Sequence, residues 1–236
     1  LFFPSQQGHA RIVTMLLEAN AKVNVATADY KFTPLYAASE RGYAGIVTAL
    51  LRANARVDQA VEIVGGDESG AKVDLTGFTA LCTASKLGHA DCVVALLDFN
   101  ANVNQAIGVK GFTPLWIACE HNRGSVVKAL LAAKADVNRT SDEGRSPLFI
   151  ACKYFDGDFR IIESLIAAKA DVNQAIDELA TPLSISCYAG HTAVVKRLLA
   201  LRAEVDTTDH IGCTPLYCAS QQGRTAIVKA LIAANA

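Results

Sequence analysis

The chain has 236 residues, 51% of them hydrophobic, so it can fill a core and is not a disordered polymer. Lys and Arg total 22 against 23 for Asp and Glu, a formal net charge of −1, which excludes a bulk field drawing it to nucleic acid or an anionic membrane. No apolar run approaches the ~18 residues that a bilayer span needs, and seven cysteines without a zinc spacing or CxxC pair read as reduced thiols in an intracellular, cytoplasmic setting.

In chain order one motif keeps returning. A truncated copy, "LFFPS", stands at Leu1, followed by "FTPLYAAS" at Phe32, "FTALCTAS" at Phe78, "FTPLWIAC" at Phe112, "RSPLFIAC" at Arg145, "ATPLSISC" at Ala180 and "CTPLYCAS" at Cys213. Its Thr or Ser recurs at intervals of 46, 34, 33, 35 and 33 residues, a period that marks a stacked solenoid. The expected organisation is a single array over 1–236, with repeats at 1–27 (partial), 28–73, 74–107, 108–140, 141–175, 176–208 and 209–236.

Each repeat predicts two short helices and an extended connection. Thr33 and its counterparts can N-cap the first helix, and Pro34 suits the next position because its missing N–H would be unpaired there anyway. Gly8, Gly42, Gly88, Gly190 and Gly223 allow a tight reversal into the second helix, where apolar residues such as Val194, Val195, Leu198 and Leu199 form one buried stripe.

The run "TPLYAASERGYAGIVTALLRANARVD" resembles the ankyrin repeat, and the resemblance recurs along the whole chain. It implies an all-α ankyrin-repeat solenoid: antiparallel helix pairs joined by β-hairpin loops, with hairpins and first helices lining a concave surface for protein recognition. The His that usually follows T-P-L is replaced by Phe2, Tyr36, Cys82, Trp116, Phe149, Ser184 and Tyr217, so aromatic packing is expected to substitute for its hydrogen bond. The Gly that usually ends the second helix is replaced by Asn or, at Lys134, Lys169 and Arg202, by a long cation expected to take positive φ.

Residues that stay constant between repeats serve stacking, whereas variable ones are free for other use. Cys119, Cys152 and Cys187 share a slot with Ser39 and Ser85 and read as packing; Cys213, in a hairpin tip slot, is the thiol expected to be most reactive. His9, His89 and His191 share a slot after the Gly and read as scaffold. No catalytic motif, metal-ligand set or phosphate loop appears, so the chain is expected to be non-enzymatic, without cofactor or metal, and to bind neither nucleic acid nor membrane.

By the resemblance, the favoured contacts to a protein partner are Lys86, Phe112, Trp116, Glu120, His121, Arg145, Lys153 and Tyr188, with Trp116 as anchor. Phe32, Phe78 and Phe112 either stack along the hairpins or present an edge to a partner. In "KYFDGDF" the connection between helices is two residues longer, and Tyr154, Phe155 and Phe159 are either an aromatic contact site or, the favoured reading, the packing that closes it. The long interval holds an insertion, 61–72, that adds 12 residues to a hairpin and suggests a protruding finger with Glu62, Asp67 and Glu68. Two alternatives stand beside the binding scaffold: homo-oligomeric assembly through uncapped array ends or the insertion, and a targeting segment of a larger protein.

Overall fold

A computed structural model of the chain describes residues 1–28, 30–61, 77–108, 110–156 and 158–236. It divides into two compact units, Leu1–Ala135 and Asp136–Ala236, each described by itself. The Glu62, Asp67 and Glu68 finger lies outside the described residues; its base does not. The Val61 N–H donates to the Phe78 carbonyl at 2.9 Å and the Gly77 N–H to the Val61 carbonyl at 3.0 Å.

Among the described residues the first unit holds four helix pairs: α1 (Phe2–Gln6) with α2 (Ala10–Glu18), α3 (Pro34–Glu40) with α4 (Ala44–Arg52), α5 (Ala80–Leu87) with α6 (Ala90–Asp98), and α7 (Pro114–Glu120) with α8 (Gly124–Ala132). The second holds three: α9 (Pro147–Lys153) with α10 (Arg160–Ala167), α11 (Pro182–Ala189) with α12 (Thr192–Ala200), and α13 (Pro215–Gln221) with α14 (Thr225–Ala233). Within each unit first helices pack on first helices, α3 between α1 and α5 and α11 between α9 and α13.

The motif starts helices as its chemistry requires. Thr33, Thr79, Thr113, Ser146, Thr181 and Thr214 each accept the backbone N–H three residues on, at 3.0 to 3.3 Å. Because α3, α5 and α11 are sandwiched between first helices, their small side chains are buried almost all round, as in Pro34 to Ser39. Second helices bury one stripe only, Ile46, Val47, Leu50 and Leu51 in α4 and Val194, Val195 and Leu198 in α12. The connections between repeats are hairpins closed by one or two backbone bonds; Ile107 and Phe112 exchange both, whereas Ser141 and Ile176 each donate one, to Arg145 and Ala180.

Neighbouring repeats lock together at two recurring places. Asn24 accepts the Arg56 N–H at 2.8 Å and donates to the Asn54 carbonyl, and Asn138 does the same for Asp171 at 2.9 Å and Lys169. Asp58 accepts the Asn102 N–H at 3.0 Å and Asn173 that of Glu204 at 3.0 Å. The second place is the slot after the reversal. His89 donates from Nε2 to the Glu40 carbonyl at 3.0 Å, and Arg123 from Nε to the Lys86 carbonyl at 2.9 Å. These side chains lie so close that a Cβ on Gly42 would be 2.8 Å from the His89 ring and one on Gly88 2.9 Å from Arg123. Where the fifth repeat lacks the Gly, Phe155 meets the His191 ring at 5.4 Å and Phe159 at 4.9 Å, closing the longer connection as expected. On the outer helices of the same unit, Arg197 grips Glu163 with two bonds of 2.7 and 2.9 Å, which holds that carboxyl below its usual range.

The second helices end in left-handed residues throughout, with φ of 62° at Lys134, 69° at Lys169 and 60° at Arg202, in line with the sequence. In a long side chain this conformation costs on the order of 1–2 kcal/mol, partly recovered in a Gly variant by relief of the clash and partly lost to a freer unfolded chain. Lys169→Gly should therefore stabilise by about 0.5–1 kcal/mol and raise the melting temperature by about 1–4 °C. A calorimetric melt showing a lower transition would contradict this.

The thiols divide by depth. Burial pushes Cys82 and Cys92 up to about 11 and Cys152 and Cys187 up to about 12, which leaves almost no thiolate near neutral pH. Cys213 is, with Cys218, one of the two thiols that are not fully buried, but it does not stand at a hairpin tip. It is half-buried at the base of its hairpin, its N–H donates to Asp209 Oδ1 at 2.8 Å, and burial and that carboxylate raise its thiol too. At pH 8 a disulfide reagent should label only Cys213 and Cys218 in the native protein, slowly, and the other five only after denaturant. Native labelling of Cys82, Cys152 or Cys187 at the unfolded rate would refute this burial.

Candidate functional site

The face available on each first helix follows from helical spacing. The residue before the N-cap, the third helical residue and the seventh lie in one row, because positions four apart share a face and side chains lean towards the N-terminus. In the first unit three rows lie side by side: Phe32, Tyr36 and Glu40; Phe78, Cys82 and Lys86; Phe112, Trp116 and Glu120.

Within these rows the rings pack along their own repeat. Phe32 stacks on Tyr36 at 4.8 Å and Phe112 on Trp116 at 4.0 Å, with interplanar angles of 11° and 16°. Tyr36 and Trp116 are core residues, Trp116 only 2% exposed, whereas Phe32 and Phe112 above them are half-buried. Trp116, expected to be the anchor, is thus a core residue that supports the surface through Phe112. Phe78 has no ring beneath it, since Cys82 fills the third position, and the Lys86 ammonium lies 6.0 Å from its centroid instead. At the ends of these rows Glu40 is 3.8 Å from Arg41, and Glu120 is 3.6 Å from His121 Nδ1, which also bonds the Ile117 carbonyl at 3.0 Å.

The second unit presents a different chemistry. Arg145 stands before the cap of α9 and pairs with Glu143, and Lys153 at the other end places its ammonium 5.1 Å from the Tyr154 ring. In the next row Ser184 is turned inward, exchanging bonds with Thr181 across a capping box, and Tyr188 stands 52% exposed. The structure thus brings Lys86, Phe112, Glu120 and His121 to one unit's face and Arg145, Lys153 and Tyr188 to the other's.

One residue of this second face is not among those the motif singles out. The position two before the cap is Gly77, Gly111, Gly144 and Gly212 in four repeats, all with positive φ. In the fifth of the six it is Leu179, with φ of 63° and 53% exposed, an apolar side chain held in a conformation that glycine serves elsewhere. The first of the six is Lys31, with φ of 57°, so the sequence carries the signal as four glycines in register with a lysine and a leucine among them.

Among the described residues no group of three or more His, Cys, Asp or Glu is placed to hold a metal ion, and no helix is long and apolar enough to cross a membrane. No curated protein matches the chain. Residues 30–60 match the family model described as ankyrin repeat, and residues 58–141, 100–176 and 148–236 match the one described as ankyrin repeats (3 copies). With capped helix pairs, left-handed helix ends and closed hairpins recurring at this period over most of its length, the chain belongs to the ankyrin repeat family.

Proposed function

We propose that this chain is a non-enzymatic scaffold that binds a protein partner through the concave face formed by its first helices and hairpins. Ankyrin repeats are in general protein interaction modules. One observation supports the reading above the others: in α3, α5, α7 and α9 residues one to six are buried, with Leu always second and Ala always fifth, while the seventh of the first helices is exposed or half-buried and changes from repeat to repeat. It is Glu40, Lys86 and Glu120 in the first unit and Lys153, Tyr188 and Gln221 in the second. Constancy beneath and variety above is what recognition asks of a rigid frame. In the second unit Arg145, Tyr154 and Tyr188 add the aromatic and guanidinium chemistry enriched in binding hot spots, with Lys153 and Leu179 beside them. Seven unbridged thiols, five of them buried, fit a reducing intracellular setting.

A photoreactive amino acid placed at Lys86 or Tyr188 should trap a partner from the source cell. The same group at Lys128 or Lys196, exposed on the second helices, should trap at least fivefold less. Equal yields from both sets would sink the face assignment.

Self-association is a second reading, supported by exposed apolar residues on the outermost helix pairs: Phe3 and Met15 in the first unit, Tyr217 and Ile232 in the second. Light scattering after size exclusion should then show a mass that rises with concentration. A constant monomer mass across the micromolar range would remove this reading.

A further inference from the structure

The hairpin tips of the second unit stack in a row. The Asp177 N–H donates to the Glu143 carbonyl at 3.5 Å and the His210 N–H to the Glu178 carbonyl at 3.0 Å, which sets the tips 142–144, 177–179 and 210–212 side by side. Two large apolar side chains stand on that row, Leu179 at 53% and Ile211 at 71% exposed. The core does not account for Leu179, which keeps the left-handed φ that glycine serves in four of its counterparts and yet places an aliphatic side chain in solvent.

Charge on the same row is one-sided. Over residues 138–145, 173–180 and 206–213 the hairpins carry six carboxylates, Asp142, Glu143, Asp177, Glu178, Asp206 and Asp209, against the two guanidinium groups of Arg139 and Arg145, a net charge of −4 with histidine left aside. The loops leading into them, with Asp136, Asp171 and Glu204 against Lys169 and Arg202, do not reverse it. Arg145 is paired with Glu143, and Lys153 stands at the far end of α9 against Tyr154, whereas Asp142, Asp177 and Glu178 form no ion pair among the described residues. Aliphatic side chains bordered by such carboxylates repel a nucleic acid or an anionic membrane and suit a segment that brings cations together with apolar groups.

We infer that this hairpin row docks a basic segment of a partner protein, one that carries aliphatic side chains among its lysines or arginines. The aliphatic groups lie on Leu179 and Ile211, and the cations meet Asp142, Asp177 and Glu178. The inference rests on the proposed protein-binding role of the face and adds the chemistry of what its second unit takes. Covering the two side chains removes apolar surface from water, while the carboxylates around them speed the encounter and reject acidic competitors.

The probe is a fluorescein-labelled peptide of three Lys-Leu-Lys triplets, followed by anisotropy at low salt with the full chain. Two controls accompany it, three Glu-Leu-Glu triplets and three Lys-Ser-Lys triplets. The first peptide should bind about tenfold more tightly than the acidic control and about fivefold more tightly than the serine one, and less tightly as salt rises. Leu179→Gly, which suits the backbone there, should melt no lower than the parent chain, weaken Lys-Leu-Lys binding about threefold and leave Lys-Ser-Lys binding unchanged. Glu178→Lys should weaken Lys-Leu-Lys binding about fivefold and strengthen Glu-Leu-Glu binding, a reversal that only a folded variant can show. Glu18→Lys, on α2 of the other unit, should change neither. Equal effects of the two charge reversals would overturn the location, and equal binding of Lys-Leu-Lys and Lys-Ser-Lys the apolar contacts. If no peptide binds while a photoreactive group at Tyr188 still traps a protein, the ligand chemistry is wrong and the binding face stands. If both fail, both are wrong.

Discussion

No helix among the described residues can stand alone. They run from five to nine residues, below the roughly 12–15 that an isolated helix needs in water, so nearly all their stability must come from burial against neighbours. That constraint explains the shape of the sequence. A first helix with neighbours on both sides must be small and apolar all round, which is why "PLYAAS" and its counterparts contain little freedom. A second helix, bounded on one side by solvent, needs only its stripe. On the inner first helices and hairpins, what is left over among the described residues is one position near the end of each helix and a few at each hairpin.

Stacking of this kind needs a register, and polar groups set it. An Asn or Asp side chain in one repeat receives a backbone N–H of the next, and Asn138 also holds the carbonyl of Lys169, the residue whose φ of 69° would otherwise be unfavourable. The strain is held in place by the neighbour, in keeping with the rule that unusual backbone conformations persist where their surroundings over-determine them. The same logic gives sense to Leu179. It keeps the left-handed turn of its glycine counterparts and adds a side chain that the core does not need.

Much of this is legible in the amino-acid sequence. The caps, the reversals and the left-handed helix ends follow from local rules that each repeat states again, so the roles of Thr33 and Lys169 are spelled out several times over in slightly different words. The Asn and Asp clamp is also written in the sequence, at Asn24, Asp58, Asn138 and Asn173, but its role depends on a partner about 30 residues away and no local rule announces it. The site is less legible for a related reason. Trp116 and Phe112 look alike as candidates in a string of letters, and only their stacking order decides that one is core and the other surface. Cys213 is a milder case: a hairpin tip suggests full exposure, whereas it stands half-buried at the hairpin's base.

The side chain that follows each reversal belongs, in its contacts, to the repeat before it. His89 seals the end of α3, Arg123 that of α5, and His191 rests on Phe155 where the preceding glycine is missing. A repeat is thus defined by its predecessor as well as by itself. In evolutionary terms the array is poorly suited to shuffling: copying or deleting one whole repeat would seat a side chain on a neighbour shaped for a different one. The fifth repeat, with a ring in place of the glycine gap, is the junction least able to accept such an exchange, and divergence of this chain would be expected to proceed by point changes on the open face while the order of its repeats stays fixed.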